Sequence, residues 1–312
     1  MMGKYTLSLA LTIVMFLSAW SVPAAAETLA FVRDGNIWVA GVDGSGARQL
    51  TSGGQDEHPA VSPDGQWVVF QRAAQTKAGF ATQILRAPAA GGPAQPLTFQ
   101  GVQEGWSPSF SRDGKQLIFA GCTNRRSGKD GQTLATVFIA LADLSTGGVR
   151  FIGTVPNHGL DAGYLYENPA LSPDGRLIAY QESGSDVSGG WVILDLSGKR
   201  LKSFPTDKKD YTPYWRPQFT RDGKEILCYS PITSEGQVNR IHLVDLATLK
   251  KREVTRGLKP AFVEQGKAIV FERYRTGEGL STENVPQDLW YLPLSGGEPT
   301  KILENGHSPA GQ

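Results

Sequence analysis

Short apolar segments alternate with turn residues along the chain, and one phrase recurs at intervals. Five segments align on a Pro that leads into a turn, which is Asp-Gly in four of them: residues 58–65, 107–114, 168–175, 216–223 and a degenerate copy, 259–266. An apolar run ending on an aromatic residue follows most copies, as in residues 67–70 and 177–180. Asp-Gly is a strong hairpin signal because both residues tolerate positive φ, and Pro belongs at a strand start because it cannot donate to a ladder. Each phrase therefore predicts two antiparallel strands.

Each unit continues with a further apolar strand, a short Gly-rich or polar turn and an outer strand. Residues 84–87, Gly91-Gly92 and residues 95–98 show this order in one unit. Four short strands in units of about 40–60 residues are typical of propeller blades. We therefore predict an all-β fold, a β-propeller whose six blades are counted by their leading prolines: Pro59, Pro108, Pro169, Pro217, Pro260 and Pro309.

The two ends of the repeat region predict how the ring closes. Residues 28–32 match the second strand of a blade, and residues 307–310 match the start of a first strand. We expect the C-terminal strand to complete the N-terminal blade, which would remove an exposed sheet edge.

Residues 1–26 have the pattern of a secretory signal peptide. Lys4 precedes an apolar stretch over residues 7–20, and Ala24-Ala25-Ala26 supplies a small-residue cleavage site. The apolar stretch is shorter than the roughly 20 residues of a spanning helix. We therefore expect an exported protein, periplasmic or secreted and not inserted in a membrane, whose propeller domain spans residues 27–312.

Charge and cysteine content narrow the classes of partner. The chain has 31 Lys and Arg against 30 Asp and Glu, and removing the leader with Lys4 balances them. Nucleic acid as the main partner is disfavoured, because it selects for excess positive charge. Cys122 and Cys228 fall in non-neighbouring blades, so no bridge is expected, and neither has the spacing of a zinc ligand.

The Pro-x-x-Ser-Pro-Asp-Gly phrase with its apolar strand, and endings such as Gln49-Leu50-Thr51, resemble the propeller repeats of the TolB family. The resemblance covers residues 27–312 and has no counterpart of the N-terminal α/β domain of TolB. It implies a six-bladed propeller and the binding of a protein or peptide at the mouth of the central channel. Related repeats also occur in regulatory propellers of peptidases and in propeller lyases.

The predicted loop lengths single out one face of the disc for binding. The turns after strands one and three are tight, whereas the other connections hold the long insertions at residues 71–82, 121–136, 154–167, 206–215 and 273–288. Long loops on a rigid scaffold are where binding residues concentrate. The residues before each leading Pro should ring the channel mouth on this face, and the binding candidates are Glu57, His58, Trp106, Ser107, Glu167, Asn168, Trp215, Arg216, Lys259 and His307.

Two alternatives to simple binding remain open at this point. Two Trp with Arg resemble a binding hot spot, but the Trp could equally plug the space between blades. An enzyme acting on a carbohydrate or small substrate in the channel is the competing hypothesis, although neither a G-x-S-x-G elbow nor a metal-ligand spacing occurs. We therefore predict a binding propeller of the cell envelope with no catalytic residue, metal or cofactor. The sequence leaves the oligomeric state open, with a monomer as the expectation.

Overall fold

The computed structural model describes residues 27–76, 79–128, 131–160, 166–182, 189–205, 213–230, 239–275 and 286–311. The predicted signal peptide, residues 1–26, lies outside the described residues. Within the described part, the chain forms twenty-four strands and one 3₁₀ turn at Glu264–Gly266. In chain order the strands are β1 (Thr28–Arg33), β2 (Asn36–Gly41), β3 (Arg48–Gln49), β4 (Asp56–Val61), β5 (Trp67–Thr76), β6 (Gly79–Pro88), β7 (Gln95–Pro96), β8 (Glu104–Phe110), β9 (Gln116–Ser127), β10 (Thr133–Asp143), β11 (Val149–Gly159), β12 (Tyr166–Leu171), β13 (Leu177–Glu182), β14 (Gly190–Asp195), β15 (Arg200–Phe204), β16 (Trp215–Phe219), β17 (Glu225–Ser230), β18 (Arg240–Asp245), β19 (Lys251–Arg256), β20 (Leu258–Val263), β21 (Ala268–Tyr274), β22 (Gln287–Pro293), β23 (Thr300–Leu303) and β24 (His307–Ala310).

These strands form six antiparallel four-stranded blades of a propeller across the described ranges. Blade 1 has the order β24-β1-β2-β3, so the C-terminal strand supplies the inner strand of the N-terminal blade, as predicted. Blades 2 to 6 are β4–β7, β8–β11, β12–β15, β16–β19 and β20–β23, each with its inner strand first in sequence. Because β24 pairs with β1, the ring closes through hydrogen bonds between the two ends of the propeller.

The repeated Ser/Thr-x-Asp-Gly phrase forms the tight turn between the first and second strands. In blade 2, Ser62 Oγ donates to Asp64 Oδ1 over 2.5 Å, and the backbone N–H of Gln66 donates to the same oxygen over 3.0 Å. Gly65 closes the turn at φ 71°, a conformation that glycine adopts without a Cβ penalty. The same contacts recur at Ser111, Ser172 and Thr220, so these residues are structural, as the sequence indicated.

The hydrophobic core lies between the blades rather than at the centre of the disc. In the described residues, six buried clusters occur, and each joins the facing sides of two adjacent blades. Tyr180 and Ile118, for example, meet between blades 3 and 4. Cys122 and Cys228 are buried free thiols in different clusters. Because the core is divided in this way, the channel wall is free to carry polar residues.

Three segments predicted as loop insertions are strand over much of their length. The insertion at residues 71–82 is largely a β-hairpin, since β5 pairs with β6 from Trp67↔Pro88 to Thr76↔Gly79. The insertion at residues 121–136 continues β9 and β10, and residues 154–159 belong to β11. The prediction of loops was wrong here because backbone pairing prolongs these strands without regular apolar alternation. Most of the insertions at 206–215 and 273–288 lies outside the described residues.

Candidate binding site at the channel mouth

A β-bulge of one extra residue interrupts every inner strand just before its leading Pro. In blade 2, Glu57 pairs with Gln71 and Ala60 pairs with Val69. The inner strand thus has two residues between these pairs, whereas the neighbouring strand has one. The same offset occurs in the other five blades. The residue before each Pro takes a left-handed φ between 44° and 53°: His58, Ser107, Asn168, Arg216, Lys259 and Ser308. The bulge therefore gives the six blades a common backbone at one end of the channel.

Polar side chains from alternate blades stabilise this backbone. Gln71 Oε1 accepts the N–H of Ser107 over 2.9 Å, and Gln181 Oε1 accepts the N–H of Arg216 over 3.2 Å. Glu272 Oε1 accepts the N–H of Ser308 in the same way. At the equivalent register, blades 1, 3 and 5 carry Val32, Ala120 and Tyr229. Blades with a Gln or Glu at this position thus alternate with blades that lack one, which gives the channel mouth an approximate three-fold symmetry. This alternation was not predicted from the sequence.

The inner strands enclose a cavity of about 490 Å³ along the channel. Four of the ten predicted binding residues line it, namely His58, Ser107, Asn168 and Arg216. Below them the wall is mixed: five of the leading prolines, Phe110, Leu171, Phe219 and Phe262 alternate with polar residues such as Ser109, Gln218 and Thr220. The cavity therefore combines a polar mouth with a partly apolar wall, a composition that occurs in binding pockets.

Two arginines narrow the opposite end of the channel, on the face of the Asp-Gly turns. An Arg112 guanidinium N–H of blade 3 donates to the carbonyl of Arg221 in blade 5 over 3.0 Å. Arg221 in turn donates to the carbonyl of Gln265 in blade 6 over 3.3 Å. These contacts cross between blades and place two guanidinium groups at the end of the cavity opposite His58 and Arg216.

Histidines at the mouth are held neutral by burial and by nearby cations. Burial lowers the pKa of His58 to about 3, and the charges of Arg216 and Lys259 act in the same direction. The pKa of His307 falls to about 4 because of burial and the same two cations. His58 also lies 3.5 Å from Ser107 Oγ through its Nδ1. Both rings are therefore uncharged near pH 7 and available as hydrogen-bonding groups.

Carboxylates at the mouth have the opposite shift. Burial raises the pKa of Glu272 although the Nζ of Lys259 lies 3.4 Å from its Oε1. Burial likewise raises the pKa of Glu57, against the stabilising charges of Lys259 and Arg216. Desolvation thus disfavours the charged form of both carboxyl groups, and the Lys259–Glu272 pair opposes this effect.

The remaining predicted residues lie outside the cavity lining. Trp106 is only 2% exposed, and its indole N–H donates to the carbonyl of Tyr166 over 2.8 Å in the core between blades 3 and 4. Trp215 packs edge-on against Tyr229 with 5.8 Å between ring centroids. Trp106 therefore lies between two blades, as in the alternative in which a Trp fills the space between them, and its part in binding stays a prediction.

Glu167 is positioned by the residues that the sequence analysis missed. Its Oε2 accepts a hydrogen bond from Gln181 Nε2 over 2.6 Å. The sequence did carry a signal for these supporting residues: a polar residue recurs after the aromatic end of a second strand, as in Phe70-Gln71, Tyr180-Gln181 and Phe271-Glu272.

The described residues contain no group of three His, Cys, Asp or Glu placed to hold a metal ion. Among the same residues, no helix is long and apolar enough to span a membrane.

Fold and channel together define this chain as a six-bladed β-propeller with a polar-mouthed central cavity. The TolB beta propeller domain matches residues 15–217, which is more than half of the chain. The chain therefore belongs to the TolB β-propeller family. A comparison with curated proteins finds no match.

Solved structures with the same fold agree with this assignment. TolB from Acinetobacter baumannii is 21% identical with a TM-score of 0.65, over 91% of this chain and 66% of the other, so this chain spans less than two thirds of its length. The TolB candidate from Agrobacterium tumefaciens is 16% identical with a TM-score of 0.60, over 92% of this chain and 91% of the other. An oligogalacturonate lyase in complex with manganese is 16% identical with a TM-score of 0.54, over 86% and 70%. At these identities the likeness establishes the fold and leaves function to the site.

Proposed function

We propose that this chain is an exported propeller of the cell envelope that binds a protein or peptide segment at the mouth of its channel. The cavity of about 490 Å³, with His58, Ser107, Asn168 and Arg216 at its mouth, is the observation that carries the proposal. The proline and phenylalanine part of its wall favours apolar side chains of a peptide, and its polar rim supplies hydrogen-bonding groups for a backbone. Membership of the TolB propeller family and the leader-like sequence of residues 1–26 support the cell-envelope setting.

Site-specific photo-cross-linking in cells tests where a partner binds. A photo-reactive amino acid at Asn168, in the cavity lining, should capture a discrete envelope protein after irradiation. The same residue at exposed Lys115, beside an Asp-Gly turn on the opposite face, is the matched control. Capture from Lys115 with none from Asn168 would place binding on the wrong face and refute the proposal.

Export has its own test. Mass spectrometry of the protein purified from a periplasmic fraction should find Glu27 as the N-terminal residue, because the Ala24-Ala25-Ala26 pattern favours cleavage there. A full-length chain confined to the cytoplasm would contradict the proposed location.

A further inference from the structure

The guanidinium of Arg216 has no carboxylate partner among the residues that the structure describes. Its Nη1 is shielded from solvent and makes no hydrogen bond there. Six other arginines pair with a carboxylate: Arg72 with Asp56, Arg125 with Glu104, Arg200 with Glu182, Arg240 with Glu253, Arg252 with Glu225 and Arg275 with Asp288. Among the described residues, Arg86 also has a buried nitrogen without a hydrogen-bond partner, but it does not line the cavity. A buried donor without a partner is destabilising, and more so when it is charged. Nη1 of Arg216 therefore lacks a hydrogen-bond acceptor within the described chain, which a bound ligand would provide.

The backbone of the bulge holds Arg216 at the mouth. Its φ of 53° is unfavourable for a residue with a side chain, and its N–H is fixed by Gln181 Oε1 over 3.2 Å. The cavity lining includes Arg216, so a ligand that enters the channel meets it. A residue fixed in this way is preorganised, which lowers the entropy cost of binding.

Charges near Arg216 favour an anionic ligand. Lys259 carries a second cation in the adjacent blade, and the two cations lower the pKa of both His58 and His307. The facing carboxylates, Glu57 and Glu272, have raised pKa values because they are buried. An anion entering here would be attracted by Arg216, whereas Lys259 already pairs with Glu272 over 3.4 Å. A carboxylate is the anion whose two oxygens match the planar fork of arginine.

The composition of the cavity wall below Arg216 favours a peptide carboxylate over a sugar acid. Phe110, Phe219 and Phe262 line the interior together with five of the leading prolines. The polar residues of the wall are partly engaged, since Gln218 Nε2 donates to the carbonyl of Pro260 over 2.7 Å and Thr220 Oγ1 donates to Asp222. A sugar acid would therefore find few free partners for its hydroxyl groups, which is unfavourable. A peptide can instead place an apolar side chain there while its carboxylate stays at the mouth.

We propose that the channel mouth holds a carboxylate subsite, in which Arg216 binds a carboxylate of the peptide segment. This inference rests on the proposed function, since it names the chemistry of the group that the mouth recognises. The carboxylate can come from an Asp or Glu side chain or from the C-terminus of the peptide.

Selection from random heptapeptide libraries tests the inference without a known partner. One library displays peptides with a free C-terminus, and the other displays them with both ends blocked. Enrichment restricted to the first library identifies the C-terminal carboxylate. Enrichment of Asp or Glu in the second identifies an acidic side chain.

The strongest selected peptide is then titrated against the wild type and three variants. Arg216→Gln should weaken binding at least about tenfold, because it removes a charge-assisted pair. Arg216→Lys keeps the charge without the fork and should give an intermediate loss. Arg176→Gln, at an exposed turn on the opposite face, should bind like the wild type. Replacing the carboxylate of the peptide by its amide should match the loss seen with Arg216→Gln.

The possible failures are distinguishable. Peptides that bind equally to the wild type and to Arg216→Gln would overturn the carboxylate subsite and leave peptide binding at the mouth intact. An oligogalacturonate probe that binds through Arg216, with no peptide enriched, would overturn the peptide occupant. If neither library yields a binder and the oligogalacturonate does not bind, both the subsite and the proposed function are refuted.

Discussion

At the scale of single residues, the positions before the leading prolines adopt a backbone that their side chains disfavour. Ser107, Arg216 and Lys259 have left-handed φ values although none is glycine. This conformation costs about 1–2 kcal/mol for an L-residue, and a following Pro restricts φ and ψ further. Strand pairing on both sides of the bulge holds the residue in place. Strain of this kind commonly marks functional regions, and here it orients the residues of the mouth.

A pair of substitutions at Ser107 tests this strain. Ser107→Gly should leave the free energy of unfolding unchanged or raise it by up to about 1 kcal/mol, because glycine tolerates a φ of 50°. Ser107→Val should lower it by about 2 kcal/mol, because a β-branched residue is strongly disfavoured there. Urea unfolding measures both. At Ser109, where φ is not positive, the order should reverse, and the same order at both positions would contradict the strain.

His242 is a second residue whose buried state has a measurable consequence. Its Nε2 lies 3.0 Å from Ser230 Oγ, and its ring packs edge-on against Tyr214. Burial lowers its pKa to about 4, with Lys251 and Arg240 acting in the same direction and Glu253 opposing them. The unfolded chain therefore binds a proton at His242 more readily than the folded chain does.

Replacement of His242 should consequently reduce the acid sensitivity of the fold. Stability from this group is complete above its unfolded pKa of 6.5 and is lost as the pH falls toward about 4. The loss amounts to as much as about 3 kcal/mol. In the variant His242→Gln, the fall in unfolding free energy between pH 7 and pH 4.5 should be smaller than in the wild type. Parallel pH profiles for the two proteins would rule out this role.

Residue identity alone could predict only part of the site. The Pro phrase located the six mouth positions, and His58, Ser107, Asn168 and Arg216 do line the cavity. The bulge could not be predicted, because residues such as Arg and Lys give no signal for positive φ. Without knowledge of the bulge, the two members of each pair could not be assigned to the channel or the core, which is why both positions stayed open for Trp106.

At the scale of structural elements, the second strands of alternate blades support the bulges of the next blade. Gln181 shows this most fully: its Oε1 accepts from the N–H of Arg216 and from Asn168 Nδ2, and its Nε2 donates to Glu167. Three mouth residues thus depend on one buried amide. The positions of these mouth residues therefore depend on the second strand β13 as well as on the inner strands.

Removing this amide should weaken the fold at blades 4 and 5. Gln181→Leu leaves the N–H of Arg216 without an acceptor, which should lower the free energy of unfolding by about 1–3 kcal/mol. Chemical denaturation measures the change. Gln66→Leu, at an exposed turn residue, should stay within about 0.5 kcal/mol of the wild type. Equal effects of the two substitutions would show that the amide has no supporting role.

The repeat pattern and the turn residues made the blades predictable from the sequence. The lengths of the strands could not be predicted. Asp-Gly turns fixed the hairpins between first and second strands, because their φ requirements are local. The hairpin of β5 and β6 and the long β9–β10–β11 ribbon extend through polar residues such as Thr123 and Arg126. Their pairing is set by the partner strand rather than by their own periodicity, so the sequence suggested loops.

At the scale of the whole molecule, closure by β24 joins the two ends of the propeller. Ala310 pairs with Ala30, and His307 pairs with Val32. The N–H of Ser308 is bound by Glu272 of blade 6, so β24 also links blades 1 and 6. Without β24, β1 would present an unpaired edge, which is a template for aggregation.

Deletion of residues 307–312 should therefore destroy the cooperativity of unfolding. We expect a broad transition at lower urea concentration and association detected by light scattering, because blade 1 loses its inner strand. Deletion of residues 311–312 alone keeps β24 and is the control. A sharp transition like that of the full chain would mean that the ring is stable without this closure.

Hydrogen–deuterium exchange of the protein with its cross-linked partner tests the central claim most directly. The account predicts that the partner protects the backbone amides of the mouth, at Ser107, Asn168 and Arg216, and leaves the Asp-Gly turns at Gly65 and Gly114 unchanged. Protection confined to those turns or to the outer strands, with none at the mouth, would contradict binding at the channel mouth.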